Sequence, residues 1–150
     1  MQDFRNLSVW QMARRLTKSI YEMTVDYPES EAFGLRSQMR RASVSICSNI
    51  AEGCGRRGDR EFRRFLDVAM GSACELECET ILSFDLAFIT ETAQEQILDV
   101  LIQTKRMLGG LLACLGWGRS KSGGRETAAG NRRPRQRAAG ARETDSGTDS

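Results

Sequence analysis

The chain has 150 residues, 40% of them hydrophobic, and its 22 lysines and arginines outnumber its 20 acidic residues by two. This length and apolar content suit a single domain with one core. The chain has no histidine, which removes the commonest general base and metal ligand and argues against an enzyme, and no apolar run reaches the ~18 residues needed to span a bilayer.

The first two predicted elements are amphipathic helices. Apolar residues of the first recur at steps of four and three, typical of one buried helical face: Val9, Ala13, Leu16, Ile20, Met23 and Tyr27. Pro28 ends this helix, because proline restricts the residue before it and donates no backbone hydrogen bond. The second helix repeats the step through Leu35, Met39, Ala42, Ile46, Asn49 and Gly53. It stops in the glycine cluster Gly53, Gly55 and Gly58.

The third and fourth predicted helices each carry more than one apolar stripe. Asp59 is the expected N-cap of the third. Its main stripe is Phe62, Phe65, Ala69, Ala73, Leu76 and Thr80, and a second stripe is Cys74, Cys78, Ile81 and Phe88. The fourth helix runs from about Thr92 to Leu115 through Ile97, Leu101, Leu108 and Leu111. The additional stripes predict self-association through helix faces, for which closed cyclic symmetry is usual.

Strand signals are absent, so we expect an all-α fold. Four helices with short connections predict an up-and-down antiparallel four-helix bundle over residues 1–115. Residues 116–150 are dominated by Gly, Ser, Thr, Arg and Ala and hold eight bases and four acids. Such a segment buries too little apolar surface to offset the entropy of ordering, so it is predicted to be a disordered basic tail.

One stretch concentrates the positive charge of the bundle. Residues 36–64 hold eight arginines and three acids, whereas residues 1–35 and 65–115 together hold six bases and thirteen acids. Clustered arginine favours an anionic partner, and we predict nucleic acid, RNA or DNA, bound with low sequence specificity. The predicted phosphate contacts are Arg36, Arg40, Arg41, Arg56, Arg57, Arg60, Arg63 and Arg64. The alternative is a solvated face whose arginines pair with neighbouring acids.

Two further expectations concern the arrangement of these arginines. Arg36, Arg40 and Arg41 are expected to lie near Arg63 and Arg64 if the second and third helices are antiparallel. Aromatic residues do not alternate with the arginines of this stretch. The sequence therefore argues against a platform on which single-stranded bases stack.

The motif GCGRRG at residues 53–58 matches a dinucleotide-binding fingerprint, but no strand precedes it and no βαβ unit surrounds it. We therefore interpret it as a helix end and a loop. Asn49 and Glu52 on the second helix are predicted to form a structural polar network with Glu75 on the third. Acid–base or metal chemistry by these carboxylates is the alternative, but the partner histidine or Asp-rich spacing of metal sites is missing.

The chain has five cysteines, an odd number, and no secretory leader is recognised before them. This predicts reduced thiols in a cytoplasmic protein. Cys74 and Cys78 are spaced as two metal ligands would be on a helix, but no other ligands accompany them, so they are interpreted as small buried hydrophobes. The serines lack a base that would activate them. We predict no catalytic site, no metal site and no cofactor.

Three blocks of the chain resemble a known family. They are FRNLSVWQMARRLTKSIYEM, GLRSQMRRASVSICSNIAEG and EFRRFLDVAMGSACELE. They are similar to the bacterial four-helix bundle family of 23S rRNA intervening-sequence proteins, which includes the accessory variability determinant of diversity-generating retroelements. The resemblance covers about residues 3–115 and does not separate the two branches.

The resemblance implies a protomer that assembles into a barrel-like homopentamer with a basic surface. In the retroelement branch the assembly binds nucleic acid and a reverse transcriptase, whereas the other branch is encoded within rRNA genes. The family's basic residues map onto Arg36, Arg40 and Arg41 and onto the stretch 56–64. The family usually has proline where this chain has Cys47, and Leu-Gly-Tyr where it has Leu86, Ala87 and Phe88.

Overall fold

The computed structural model describes residues 3–120, with side chains over residues 3–116. Its four helices are α1 (Ser8–Met23), α2 (Leu35–Gly55), α3 (Asp59–Asp85) and α4 (Glu91–Ser120). Short 3₁₀ turns at Phe4–Asn6 and Glu29–Glu31 precede α1 and α2. Residues 3–120 contain no strand, so the predicted all-α fold with four helices is confirmed.

The helices pack in chain order around one core. α1 and α3 each pack beside α2 and α4, and the backbones of the diagonal pairs lie further apart. Neighbouring helices run antiparallel: Thr17 of α1 donates to the carbonyl of Ser43 at 3.0 Å, and Ser83 of α3 donates to the sulfur of Met39 at 3.3 Å. The core is made mainly of fully buried aliphatic side chains: Leu16, Ile20, Met39, Ile46, Ile50, Leu66, Leu76, Leu101 and Leu108.

α1 ends four residues before the predicted stop. Thr24 leaves the helical conformation (φ −88°, ψ 6°), and its hydroxyl donates to the carbonyl of Ile20 at 2.8 Å. Tyr27 is nevertheless buried, because its ring centroid lies 5.4 Å from that of Phe88 and its hydroxyl donates to Met39 at 3.5 Å. The periodicity therefore predicted the burial of Tyr27 correctly but its helical conformation wrongly.

The turn between α2 and α3 is built from glycines, as predicted. α2 continues unbroken through Cys47 and ends at Gly55. Gly58 caps α3 with φ 92°, a backbone conformation that suits glycine. Asp59 is therefore the first helical residue rather than the N-cap. Gly53 is buried where the two helices approach, and a Cβ atom there would lie 2.7 Å from the ring of Phe62.

The α3–α4 connection uses a left-handed residue without glycine. Ala87 has φ 59°, and its amide donates to the carbonyl of Phe84 at 2.8 Å. The amide of Phe88 donates to the carbonyl of Ser83 at 2.9 Å, which closes the helix end in the manner of a Schellman motif. Ala87 occupies the position where the family resemblance expects glycine.

The structure differs from the sequence prediction at the end of α4 and in the burial of one face of α3. α4 continues to Ser120, five residues past the predicted end of the bundle, and the rest of the predicted tail, from residue 121, lies outside the described residues. Cys74 and Cys78 are exposed rather than buried, and Ile81 is 43% exposed. Cys74, Cys78 and Ile81 therefore face solvent in the single chain, whereas Phe88, the last residue of the predicted stripe, lies beyond the end of α3 and packs against the core.

Candidate nucleic-acid interface

The predicted arginines form two groups at opposite ends of the bundle. The α2 arginines are Arg36, Arg40 and Arg41, and the turn arginines are Arg56, Arg57, Arg60, Arg63 and Arg64. Seventeen residues of continuous α2 separate Arg36 from Gly53, which is roughly 25 Å at 1.5 Å per residue. The expectation that the groups lie close together is wrong, because antiparallel pairing places the start of α2 beside the end of α3.

Arg40 is bound within the protein. Its Nε donates to the hydroxyl of Thr24 at 2.8 Å and its Nη2 to the carbonyl of Tyr21 at 3.3 Å. The guanidinium carbon lies 4.7 Å from the centroid of the Tyr21 ring. Both acceptors lie at the C-terminal end of α1, where a cation is favoured by the helix dipole. Arg40 therefore fastens the end of α1 to α2.

Arg36 and Arg41 line a shallow open groove of about 440 Å³ with Tyr21 and Val44. Arg36 is half-buried and Arg41 is exposed. The positive charge of Arg41 also lowers the pKa of Glu79, a buried carboxylate of α3. Arg40 and Arg41 thus lie beside protein groups, whereas Arg36 forms no ion pair with the described residues.

Glu79 is a buried acid that the sequence did not single out. The residue is 5% exposed, and neither carboxylate oxygen has a hydrogen-bond partner within the described residues. Burial raises the pKa of Glu79 to about 7, the nearby Glu75 carboxylate adds to the shift, and Arg41 opposes it. The sequence pattern does not mark it, because Ser72 and Ser83, which lie in helical step with Glu79, are themselves polar.

The predicted polar network has different members. Asn49 donates to the carbonyl and the hydroxyl of Ser45 at 2.8 and 3.1 Å, and Ser45 shares a 2.8 Å hydrogen bond with Ser72 across α2 and α3. Glu52 and Glu75 take no part in it. Glu52 is exposed and pairs with Arg56, whereas Glu75 is exposed and forms no hydrogen bond or ion pair within residues 3–116. The reason is that the buried seam of α2 continues through Ile50, which leaves Asn49 on its flank and Glu52 on the surface.

Two of the turn arginines have partners within the protein. Arg56 pairs with Glu52, and its guanidinium carbon lies 5.1 Å from the centroid of the Phe65 ring. Arg63 approaches Asp67 at 4.0 Å, and its Nη1 lies 2.9 Å from where a Cβ atom on Gly116 would stand. These contacts hold both side chains against the bundle.

The other three turn arginines are free. Arg57, Arg60 and Arg64 are exposed and form no ion pair or side-chain hydrogen bond with the described part of the chain. They lie on a short turn and on the first helical turns of α3, which fixes their backbone positions. The structure therefore offers three uncommitted guanidinium groups at this end of the bundle.

Sequence reasoning missed a second basic surface, which we name the α1 groove. It is an open groove of about 540 Å³ lined by Arg5, Trp10, Gln11, Arg14, Arg15 and Lys18. Counting residues 1–35 together hid the cluster, because the four acids of residues 22–31 offset the four bases of residues 5–18. The spacing of Gln11, Arg14 and Lys18 at i, i+3 and i+7 would have indicated one helical face.

Charge is separated along the bundle axis. The bundle is divided here at the midpoint of each helix. Nine bases and five acids, net +4, lie in the half that contains the α2–α3 turn, which comprises residues 3–15, 46–71 and 106–116. The other half (16–45 and 72–105) holds five bases and eleven acids, net −6. The turn arginines and most of the α1 groove share the basic half. A polyanion is therefore attracted to one end of the molecule and repelled by the other.

Residues 3–120 contain neither a cluster of metal ligands nor a helix suited to span a membrane. Within this range no group of three or more His, Cys, Asp or Glu side chains is placed to hold a metal ion. The helices of the same range include none with both the length and the hydropathy needed to cross a membrane. The five cysteines are free thiols, and burial raises the pKa of the Cys47 and Cys54 thiols.

Comparison with known proteins places the chain in a family. Among solved structures it is similar to a protein of unknown function from the S23 ribosomal protein family of Bacteroides thetaiotaomicron, with a TM-score of 0.63 and 23% sequence identity over 69% of this chain and 97% of that one. This likeness supports the four-helix fold. A search of curated proteins gives no match. The sequence model of the 23S rRNA-intervening sequence protein family matches residues 5–110, which are 106 of the 150 residues, and the chain therefore belongs to that family.

Proposed function

We propose that this protein is a non-enzymatic nucleic-acid-binding bundle that contacts phosphates through the turn arginines. The observation that carries the proposal is the set of three exposed arginines without partners among residues 3–116, Arg57, Arg60 and Arg64, in the half of the bundle with net charge +4. Binding is mainly electrostatic and of low sequence specificity, because phosphate contacts position a protein without reading bases.

The remaining features of this end support the same proposal. Arg56 and Arg63 are already held by their neighbours, so they add fixed positive charge near the free groups. Asp59 and Glu61 in the first turn of α3 reduce the local charge without pairing to Arg57, Arg60 or Arg64. The acidic opposite half orients the bundle so that the turn approaches a polyanion first.

The test is the salt dependence of binding by the full chain. Dissociation constants for a fluorescent duplex are measured across a range of salt concentrations for the wild type and for R57Q/R60Q/R64Q. If the three arginines contact phosphates, their loss makes the slope of log affinity against log salt less steep by about 2.7, at ~0.9 per phosphate. Equal slopes for the two proteins, or wild-type affinity that ignores salt, would contradict the proposal.

We extend the proposal to a cyclic homo-oligomer, with five protomers as the family resemblance implies. Supporting it, α3 and α4 expose Val68, Ile81, Leu82 and Ile102 to between 40% and 47%. Exposed apolar side chains on neighbouring faces favour burial between copies. Light scattering of the full chain measures the mass, and a monomer at micromolar concentration would contradict this extension.

A second candidate function is an adaptor that binds another protein, such as a reverse transcriptase. It is favoured by Phe33, which is 96% exposed in the α1–α2 connection at the end opposite the turn arginines. A large exposed aromatic side chain is typical of a protein contact. A reverse transcriptase gene with template and variable repeats beside this gene favours that role, whereas a location inside an rRNA gene favours the intervening-sequence role.

A further inference from the structure

The α1 groove places the indole of Trp10 among cationic side chains of α1 and the preceding turn. We propose that the α1 groove binds single-stranded nucleic acid, with an unpaired base stacked on Trp10 and the adjoining phosphates on Arg14, Arg15 and Lys18. This inference rests on the proposed nucleic-acid binding and adds a preference for unpaired strands. It assigns that preference to α1, which the predicted interface did not include.

The cations of the groove are available to an anion. Arg14 and Lys18 are four residues apart on α1, so their Cα atoms are separated by about 6 Å along the helix axis. Neither Arg14 nor Arg15 has a carboxylate partner within residues 3–116. Lys18 pairs with Glu22 at 3.6 Å, but the two side chains are 79% and 66% exposed, and such surface pairs contribute little. A phosphate therefore competes with water rather than with a buried ion pair.

Trp10 is held in place for stacking. The ring is half-buried, and the Phe4 ring meets it edge-on with centroids 4.9 Å apart and an interplanar angle of 66°. The guanidinium carbon of Arg14 lies 6.0 Å from the centroid of the indole. Trp10 lines the groove, and a base stacked on an aromatic side chain contributes about 1–3 kcal/mol. Trp10 thus combines a fixed ring with a neighbouring cation.

The backbone on one side of the groove is also fixed. The side-chain Nε2 of Gln11 donates to the backbone carbonyl of Arg5 at 3.0 Å, which ties the 3₁₀ turn to α1. Arg5 further pairs with Asp3 at 3.0 Å on the same turn. The groove is therefore formed by the fold before a ligand arrives, which reduces the entropy lost on binding.

A single strand fits this surface better than a duplex does. In a duplex the bases are stacked on each other, and only phosphates and groove edges would reach α1. One indole beside three cations offers a stacking face to an unpaired base and charge to the flanking phosphates. An acidic peptide would use the cations but not the indole face, so it is an alternative that experiment separates.

The experiment uses the full chain with Trp117→Phe, which leaves Trp10 as the sole tryptophan. A 12-residue oligouridylate, a duplex RNA and a polyglutamate peptide are titrated against its fluorescence, and affinities are measured by anisotropy of labelled ligand. We expect quenching of Trp10 by oligouridylate and at most weak quenching by the duplex or the peptide. Trp10→Leu should weaken oligouridylate binding about tenfold, since 1.4 kcal/mol of stacking is a factor of ten, and Trp10→Phe should restore most of it.

The arginines give a second, independent readout. R14Q/R15Q should make the salt slope for oligouridylate less steep by about 1.4, at ~0.7 per phosphate of a single strand. Arg106→Gln is the control, because Arg106 is exposed on α4 outside both basic surfaces, and it should change the affinity less than twofold. Both arginines of the double variant are exposed, so it tests the groove even if Trp10→Leu folds poorly.

The failures are distinguishable. If the wild type binds no nucleic acid in a salt-dependent way, the proposed function fails and this inference fails with it. If the turn variants weaken binding while R14Q/R15Q and Trp10→Leu bind oligouridylate like the wild type, only the α1 groove is wrong. Equal quenching by duplex and single strand, or quenching by polyglutamate alone, would also overturn it.

Discussion

The arginines at the two ends of the bundle differ in the contacts that they make within the protein. At the α2–α3 turn, Arg57, Arg60 and Arg64 are exposed and unpartnered among residues 3–116, in a half with net charge +4. At the opposite end, Arg40 is held by Thr24 and Tyr21 of α1, in a half with net charge −6. The sequence counts these side chains alike, but only the first set has charge to offer a ligand. A cluster of arginines in a sequence thus becomes a candidate interface only after the partners within the fold are known.

The largest expected effect is on the pH dependence of stability. It comes from Glu79 in the acidic half, whose ionised form is favoured by Arg41. The pKa of Glu79 is raised to about 7 in the folded chain from 4.5 in the unfolded chain, so the folded state binds the proton more tightly. The resulting stabilisation is fully present below pH 4.5 and is lost as pH rises to about 7, a change of roughly 3 kcal/mol.

Urea unfolding between pH 4.5 and 8 measures this dependence. Glu79→Gln should remove most of this loss of stability with rising pH, because the amide does not ionise. Arg41→Gln should steepen the loss, because it removes the cation that favours the ionised carboxylate. Parallel pH profiles for the wild type and Glu79→Gln would show that Glu79 does not titrate in this range.

A smaller effect distinguishes the two turns themselves. Gly58 at the basic end has φ 92°, whereas Ala87 at the other end has φ 59°. A side chain in the left-handed region costs about 1 kcal/mol relative to glycine. Gly58→Ala should therefore lower the free energy of unfolding by about 1 kcal/mol, and Ala87→Gly should raise it by a similar amount.

Chemical denaturation gives both values, and Gly71→Ala serves as the control for the glycine-to-alanine change. Gly71 lies inside α3 with no atom within 4 Å of an added Cβ, so alanine there should be neutral or slightly stabilising. A stabilising Gly58→Ala or a destabilising Ala87→Gly would mean that backbone conformation is not what decides these positions.

Much of the fold could be predicted from helical periodicity. The stripe through Ala69, Ala73 and Leu76 is buried as expected, since a side chain every three or four residues must face one neighbour. Helix ends were harder to predict, because they depend on single hydrogen bonds. Thr24 leaves the helical conformation at the end of α1, and Gly58 rather than Asp59 caps α3. The part of the additional stripe that lies on α3 faces solvent in the single chain, and the self-association that it predicts stays a prediction.

The candidate site could be predicted only in part. Charge counting located the turn arginines, but it could not show that Arg40 is bound by Tyr21 and Thr24, which precede it by 19 and 16 residues. It also missed Arg14, because the bases of residues 5–18 were counted together with the acids of residues 22–31. Burial decided the role of Glu79, and the burial of a polar residue is set by how two helices approach rather than by the local pattern.

The turn arginines are proposed to bind nucleic acid, whereas Arg40 of α2 fastens the end of α1 to α2. The most direct test compares two charge-matched variants, R57Q/R64Q and R36Q/R40Q, by the affinity of the full chain for the same labelled duplex at one salt concentration and by urea unfolding. We expect R57Q/R64Q to bind about 30-fold more weakly with unchanged stability, given about 1 kcal/mol for each lost phosphate contact. R36Q/R40Q should bind within threefold of the wild type and lose about 1.5–3 kcal/mol of stability. Equal losses of affinity in the two variants would mean that net charge alone governs binding, and the account would be contradicted.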